Sequence, residues 1–247
     1  MGINHYISDA HQELLVNADY QPAAISVRHL LTHTSGIVDY AGSEAFYNQV
    51  MAKPQRYWTR TEQVALGLAC GKPYGPPGEV YRYSDTGYIL LGEIIEQVSG
   101  YGLAVALRQL LDYARLGLDS TWLETVEPQP EGVLPRICQY NNKQDFSSLN
   151  GSNDIYGGGG LVSTIKDMAR FMRALFSHQL FDQPGTLDEM LTTVPAKTGG
   201  PDYGSHKMIP GAYRLGIDGG LQGKMYQHSG YYGTYMGYIP SLSLIHI

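Results

Sequence analysis

The sequence has little from which to build a cross-linked, membrane-spanning or nucleic-acid-binding protein. Its 247 residues include two cysteines, Cys70 and Cys138. Two such residues pair or stay free and fix no redox compartment. No apolar run approaches the length of a transmembrane helix. Charged residues make up only 16% of the chain, with no run of basic ones and a formal net charge of −6. That balance argues against nucleic acid or an anionic membrane as partner. Internal repeats and low-complexity segments are also missing. What is there is a chain 43% hydrophobic, enough to bury a sizeable core in one large domain or two small ones. Its oddity is 20 tyrosines and 30 glycines. Tyrosine suits half-buried strands and helices as well as the walls of a polar groove.

The order of elements reads as α+β. A helix starts at Ser26, with Val27, Leu30 and Leu31 at helical spacing. A second covers Thr61 to Cys70. The run Tyr88 to Val98 is apolar at i, i+3 and i+4 and stops at Gly100. Another helix spans Leu103 to Leu116. Residues 124–156 are rich in Pro, Asn and Ser and read as a long irregular excursion. A helix from Thr164 to His178 follows, capped by Ser163 or Thr164. After a loop from Val194 to Pro210 come three β-like runs, Tyr213–Ile217, Lys224–Gln227 and Gly233–Ile239, spaced as antiparallel neighbours. The expectation is a mostly helical body over about 1–195 and a partial antiparallel sheet over about 205–241.

Three short motifs carry chemistry. HLLTHTSG runs from His29 to Gly36, Tyr83-Ser84-Asp85 follows a Pro-Pro-Gly turn, and His228-Ser229-Gly230 opens the run HSGYYGTYMGY. Together with LGLDST (Leu116 to Thr121) and GGGGLVSTIKD, they resemble, in the same order, the serine β-lactamase and penicillin-binding family. The similarity is to the branch of class C β-lactamases, D-alanyl-D-alanine carboxypeptidases, D-aminopeptidases and esterases. It covers about Asp9 to Ser241 and implies a β-lactamase/transpeptidase-like fold. Those enzymes use Ser-x-x-Lys, then Tyr-x-Asn, then Lys/His-x-Gly. Nothing before Tyr83 reads Ser-x-x-Lys here.

The resemblance assigns roles by position. Acyl transfer needs an activated hydroxyl, a proton shuttle and an oxyanion cradle. Tyr83 takes the shuttle role, but a phenol titrating near 10 depends on a neighbouring cation to act as a base. Asp85 stands where the family has Asn. Asn offers an NH2 donor, whereas ionised Asp only accepts; Asp85 instead suits pairing with the missing lysine. His228 occupies the Lys/His position, suited to binding a substrate carboxylate or protonating a leaving group. Ser229, Gly230 and Tyr231 follow as substrate-binding residues, Gly230 keeping the strand bare and the Tyr231 amide donating to an oxyanion.

Two literal matches mislead. Ser163-Thr164-Ile165-Lys166 satisfies Ser-x-x-Lys but follows Tyr83, and Ser163 reads as a helix cap. Lys197-Thr198-Gly199 lies in a Gly/Pro loop. His29 and His33 are four residues apart, the spacing of a zinc pair on one helical face, yet no third ligand is obvious. No metal and no cofactor are expected.

The functional expectation is part of a serine hydrolase acting on a β-lactam, a D-amino-acid peptide or a small ester, through a serine outside this chain. The alternative is a non-catalytic module that holds a peptide or cell-wall fragment in the same cleft. Residues 1–241 read as one domain cut at both ends. The last six, Leu242 to Ile247 (LSLIHI), read either as a non-native tail from a metagenomic library adapter or as an ordinary apolar strand. On this reading the apolar face of Tyr88 to Val98 lacks a partner.

Overall fold

The protein is described by a computed structural model covering residues 1–141, 143–192, 197–198, 213–216 and 224–247. Its first half is a set of short helices, each started by a side-chain cap. Ser8 accepts from the His11 N–H and opens α1, Asp9–Asn17. Ser26 and His29 satisfy each other's backbone amides at the start of α2, Val27–Leu31. Ser43 caps α3, Glu44–Ala52. Thr59 and Glu62 form the capping box of α4, Arg60–Ala69. After the short strand β1, Val80–Tyr81, comes the longest helix, α5, Asp85–Ser99.

α5 begins three residues before its apolar run because Ser84 caps it, its hydroxyl accepting the Gly87 N–H at 3.2 Å. It ends as expected at Gly100, whose φ of 73° suits glycine. The single helix expected over 103–116 is two, α6 (Leu103–Leu110) and α7 (Tyr113–Leu116). Between them Asp112 turns left-handed, φ 47°, and caps the second with its carboxylate. Strand β2, Trp122–Leu123, leads into the irregular excursion, which holds a small hairpin of β3 (Tyr140–Asn141) and β4 (Gln144–Asp145). β5, Leu161–Val162, returns to pair with β2. Helix α8, Ile165–Phe176, is capped by Thr164 and not by Ser163. A further helix, α9 (Thr186–Met190), precedes β6, Lys197–Thr198, which runs parallel to β1. Lys197 is therefore in a strand rather than in a loop. The rest of the expected loop, the position Ile217, and the boundaries near 195 and 205 lie outside the described residues.

The last part is an antiparallel sheet of β7 (Tyr213–Gly216), β8 (Lys224–Ser229), β9 (Tyr235–Ile239) and β10 (Leu244–His246), in spatial order β10-β9-β8-β7. The first three are the three expected β runs. β10 comes from the six residues read as a tail, and its Leu244 pairs with Ile239 along the edge of β9. Phe176 of α8 packs on the sheet through Tyr226 and Tyr238, at centroid distances of 5.3 and 4.1 Å. The architecture is α+β, a helical body followed by an antiparallel sheet.

α5 does not lack a partner. Ile89, Leu90, Leu91 and Ile94 are at most 7% exposed and pack with Leu15 of α1, Leu30 of α2 and Val64 and Leu68 of α4. Each such side chain contributes roughly 1.5–3 kcal/mol of burial. Close packing against the loop behind α5 needs glycine at 92, where a Cβ would stand 1.9 Å from the Tyr156 carbonyl oxygen. One buried polar link crosses this core: Glu93 of α5 accepts from His11 Nδ1 at 2.7 Å and from the Ser8 N–H at 3.1 Å. His11 Nε2 lies 3.1 Å from Thr61 Oγ1. Among the described residues no single helix is long and apolar enough to cross a membrane. α5 and α6 would qualify together, but they meet at 72°, and α5 is buried. Both cysteines are free thiols.

Candidate active site

The turn that ends α2 builds the site. His33 adopts a left-handed backbone, φ 53°, which takes it off the helical face of His29. No group of three or more potential metal ligands occurs among the described residues. Gly36, φ 77°, follows; a Cβ there would lie 2.3 Å from the Gly75 carbonyl oxygen. This close approach lets the loop bearing the Pro-Pro-Gly turn bond to the first motif. The amides of Tyr74, Gly78 and Arg82 donate to the carbonyls of Gly36, Thr34 and His33 at 2.9, 2.7 and 2.8 Å. HLLTHTSG and the Pro-Pro-Gly turn are therefore one structural unit, and its product is the position of Tyr83.

The ring of His33 is sandwiched. Tyr83 lies tilted at 4.4 Å and Tyr88 stacks at 4.8 Å, centroid to centroid. Its Nδ1 accepts the Ser84 N–H at 3.1 Å, so the neutral ring carries its proton on Nε2. Burial, reinforced by the nearby His228, pushes the His33 pKa down to about 3. At pH 7 His33 is a neutral positioning group. Sequence reading missed it, because its role depends on a left-handed turn; the signal was the run His-Thr-Ser-Gly after a helix.

Tyr83 donates its hydroxyl to the Asp85 carboxyl, which sits in the first turn of α5. Asp85 is not alone. Its amide donates to Asp39 Oδ1 at 2.9 Å, and Asp154 accepts from the Tyr40 hydroxyl at 2.8 Å. Burial together with the charges of Asp154 and Asp39 raises the Asp85 pKa to about 8. Asp154 is raised to about 7 by burial and by Asp39, against the Tyr40 bond. At neutral pH Asp85 therefore holds its proton and has one O–H donor. In that protonated state the group offers a donor, whereas the ionised carboxylate would only accept. Among the described residues no lysine or arginine shifts these three acids.

His228 is near the end of β8, opposite Met236, and close enough to His33 to depress its titration. Burial lowers the His228 pKa as well, so its imidazole is neutral at pH 7. Tyr83, Asp85 and His228 thus lie in one neighbourhood, with His33 between the first motif and the other two. Ser229 and Gly230 are exposed at the strand end, and Tyr231 is in the turn beyond. The Gly230 amide donates to the Thr234 carbonyl at 2.8 Å, while the Tyr231 amide has no backbone acceptor among the described residues. The space where Gly230 would carry a Cβ is taken by the Thr234 hydroxyl, 2.1 Å away. A side chain at 230 would make the Thr234 hydroxyl turn away. Ser163 is committed elsewhere: its hydroxyl bonds Thr121 at 2.8 Å, and Thr121 in turn donates to Asp167. The Lys197 backbone pairs with Val80, three residues before Tyr83; its side chain lies outside the described residues.

The profile of the Beta-lactamase family matches residues 6–246. The chain belongs to the β-lactamase family. Its likeness to D-alanyl-D-alanine-carboxypeptidase/endopeptidase AmpH of Escherichia coli K12 is 25% identity over 239 residues, 91% of this chain and 58% of that protein. With the mitochondrial serine beta-lactamase-like protein LACTB of Mus musculus it shares 31% over 139 residues, 48% of this chain and 24% of the relative. A D-stereospecific amidohydrolase from Streptomyces sp. superposes with a TM-score of 0.77 at 25% identity, over 98% of this chain and 74% of that one. The octameric penicillin-binding protein homologue of Pyrococcus abyssi, at 22% identity and a TM-score of 0.72, covers 99% of this chain and 54% of its own, and shares the fold. The chain spans 24% of the length of LACTB and 58% of that of AmpH.

Proposed function

We propose that this chain carries the proton-shuttle and strand motifs of a serine hydrolase that transfers an acyl group from an amide or ester, with the nucleophilic serine and its lysine supplied from outside residues 1–247. The observation that carries this reading is the Tyr83–Asp85 hydrogen bond within a group of three part-buried acids, Asp39, Asp85 and Asp154, whose titration is raised by burial and by one another. A lysine ammonium brought to this group would pair with the acids and lower the barrier to Tyr83 acting as base. Neutral His228 is suited to donate its ring N–H as a hydrogen bond to a substrate carboxylate. Substrates of this chemistry are small: a D-amino-acid amide or peptide, a β-lactam or an ester. The names of the relatives AmpH and the Streptomyces amidohydrolase support the amide classes.

Labelling with fluorescent penicillin and a fluorophosphonate tests the reading. Residues 1–247 should stay unlabelled, and a form extended by its own upstream coding sequence bearing Ser-x-x-Lys should label stoichiometrically on that serine. Labelling of any serine within 1–247, Ser163 included, overturns the assignment. An extended form that binds the probes without forming an acyl-enzyme points to the non-catalytic binding module instead.

A further inference from the structure

A segment of four residues, Ile37 to Tyr40, follows the first motif and ties it to the start of α5 and to Asp154. Ile37, Val38 and Tyr40 are buried. The Ile37 amide donates to Ser35 Oγ at 3.2 Å and the Val38 amide to the Tyr20 hydroxyl at 3.1 Å. The Val38 carbonyl accepts the Ser84 hydroxyl at 3.5 Å, and the Tyr40 hydroxyl donates to Asp154 Oδ1 at 2.8 Å. Between these two anchors stands Asp39, whose Oδ1 accepts the Asp85 amide at 2.9 Å.

Asp39 differs from the two acids beside it. Its carboxylate accepts four backbone amides, those of Tyr40, Ala41, Gly42 and Asp85. Asp85 accepts the Tyr83 hydroxyl and Asp154 the Tyr40 hydroxyl, and each is otherwise shifted by burial and acidic neighbours. Four N–H donors favour a charged carboxylate and oppose the burial that raises the Asp39 titration. The Asp85 amide is also one of those that the first turn of a helix leaves unpaired, at the positive end of α5. Ser84 Oγ satisfies another, that of Gly87. Ser84 is a local cap, whereas the Asp39 bond spans 46 positions of sequence. Only the second can fix where α5 starts relative to the first motif.

We infer that Asp39 is a positioning residue for the Tyr83–Asp85 pair: it holds the first turn of α5 from across the chain, and with it the direction from which Asp85 meets the Tyr83 hydroxyl. The groups that act on the Asp85 carboxyl are Asp154, Asp39 and Tyr83, and the Tyr40 hydroxyl feels all three acids. As the acid surrounded by N–H donors, Asp39 also sets how firmly Asp85 keeps its proton. That this tunes a proton shuttle rests on the hydrolase reading; the positioning itself does not.

NMR titration of the 247-residue chain, carrying 15N in the backbone and 13C in aspartate and tyrosine, tests this. In the unaltered chain the amides of Tyr40, Ala41, Gly42 and Asp85 should share one titration step with the Asp39 carboxyl. Asp39→Asn keeps an acceptor for the Asp85 amide and removes the charge. It should leave the Tyr83 ring resonances in place and lower the Asp85 midpoint by roughly half a unit or more, because a like charge has gone. Asp39→Ala removes acceptor and charge together and should displace the Tyr83 resonances as well. If near-ultraviolet circular dichroism shows the alanine variant unfolded, the unaltered chain and Asp39→Asn decide alone. The role is overturned by an Asp85 amide that does not follow the other three, or by an Asp85 midpoint unmoved in Asp39→Asn. Tyr83 resonances undisturbed in a folded Asp39→Ala, or loss of the fold in Asp39→Asn, overturn it too. A shared step and a lowered midpoint, alongside failure of the extended form to acylate, would refute the hydrolase reading and leave the role of Asp39 standing.

Discussion

His33 Nδ1 accepts the backbone N–H of Ser84 at 3.1 Å, and this bond ties the first motif to the second. It joins a left-handed turn to the cap of α5 and sets the ring against which Tyr83 lies. His33→Ala leaves a buried amide without its acceptor and removes the surface that Tyr83 and Tyr88 stack on. The expected cost is about 2–3 kcal/mol of unfolding free energy, read as a lower urea midpoint at unchanged slope. An unchanged midpoint would show that the ring positions nothing.

Asp85 links stability to pH in a defined direction. Its folded pKa, about 8, lies above the ordinary 3.8, so the folded chain keeps a proton that the unfolded chain has released. Stability must then fall as pH rises from about 4 to about 8, and level off above. Asp154, raised to about 7, acts in the same sense. Thermal unfolding should occur several degrees lower at pH 8 than at pH 6. Asp85→Asn should shrink this slope and raise the melting temperature at pH 8. An undiminished slope in the variant would remove Asp85 from the account.

The His11–Glu93 link behaves oppositely. Burial raises the Glu93 pKa, but the bonds from His11 and Ser8 outweigh it and hold the group below its ordinary value. Its contribution is present above about pH 4.5 and lost as pH falls through the folded value. His11→Ala leaves a buried carboxylate uncompensated, at an expected cost of about 3 kcal/mol at pH 7. Chemical denaturation of the variant at pH 7 and pH 4 measures this; an equal cost at both values would contradict the linkage.

β10 covers the edge of β9, although Leu242 and Leu244 are about half exposed. Deleting Leu242 to Ile247 should therefore lower stability only slightly, by roughly 1 kcal/mol. It should also open the Tyr235–Ile239 edge to pairing between chains. Light scattering during storage at 37 °C should rise faster for the shortened chain. Identical scattering from the two would mean that β10 protects nothing.

Local chemistry made much of this protein legible in its sequence. Ser26, Gly100 and the apolar spacing of α5 announced their helices, because caps and periodicity act over a few residues. The motifs Tyr83-Ser84-Asp85 and His228-Ser229-Gly230 announced the family, and the three β runs their antiparallel order. Other features needed contacts across the chain. The start of α5 at Asp85 depends on how Ser84 is held, and the break at Asp112 on a left-handed residue inside a continuous apolar pattern. The carboxyl of Asp85 titrates high because it is part-buried beside Asp154 and Asp39, respectively 69 and 46 positions away in sequence. Composition predicts neither that crowding nor the sandwich of His33 between Tyr83 and Tyr88. Residue type and spacing set which elements form; the protonation of Asp85 and the place of His33 were decided by burial, which exists only once those elements have packed.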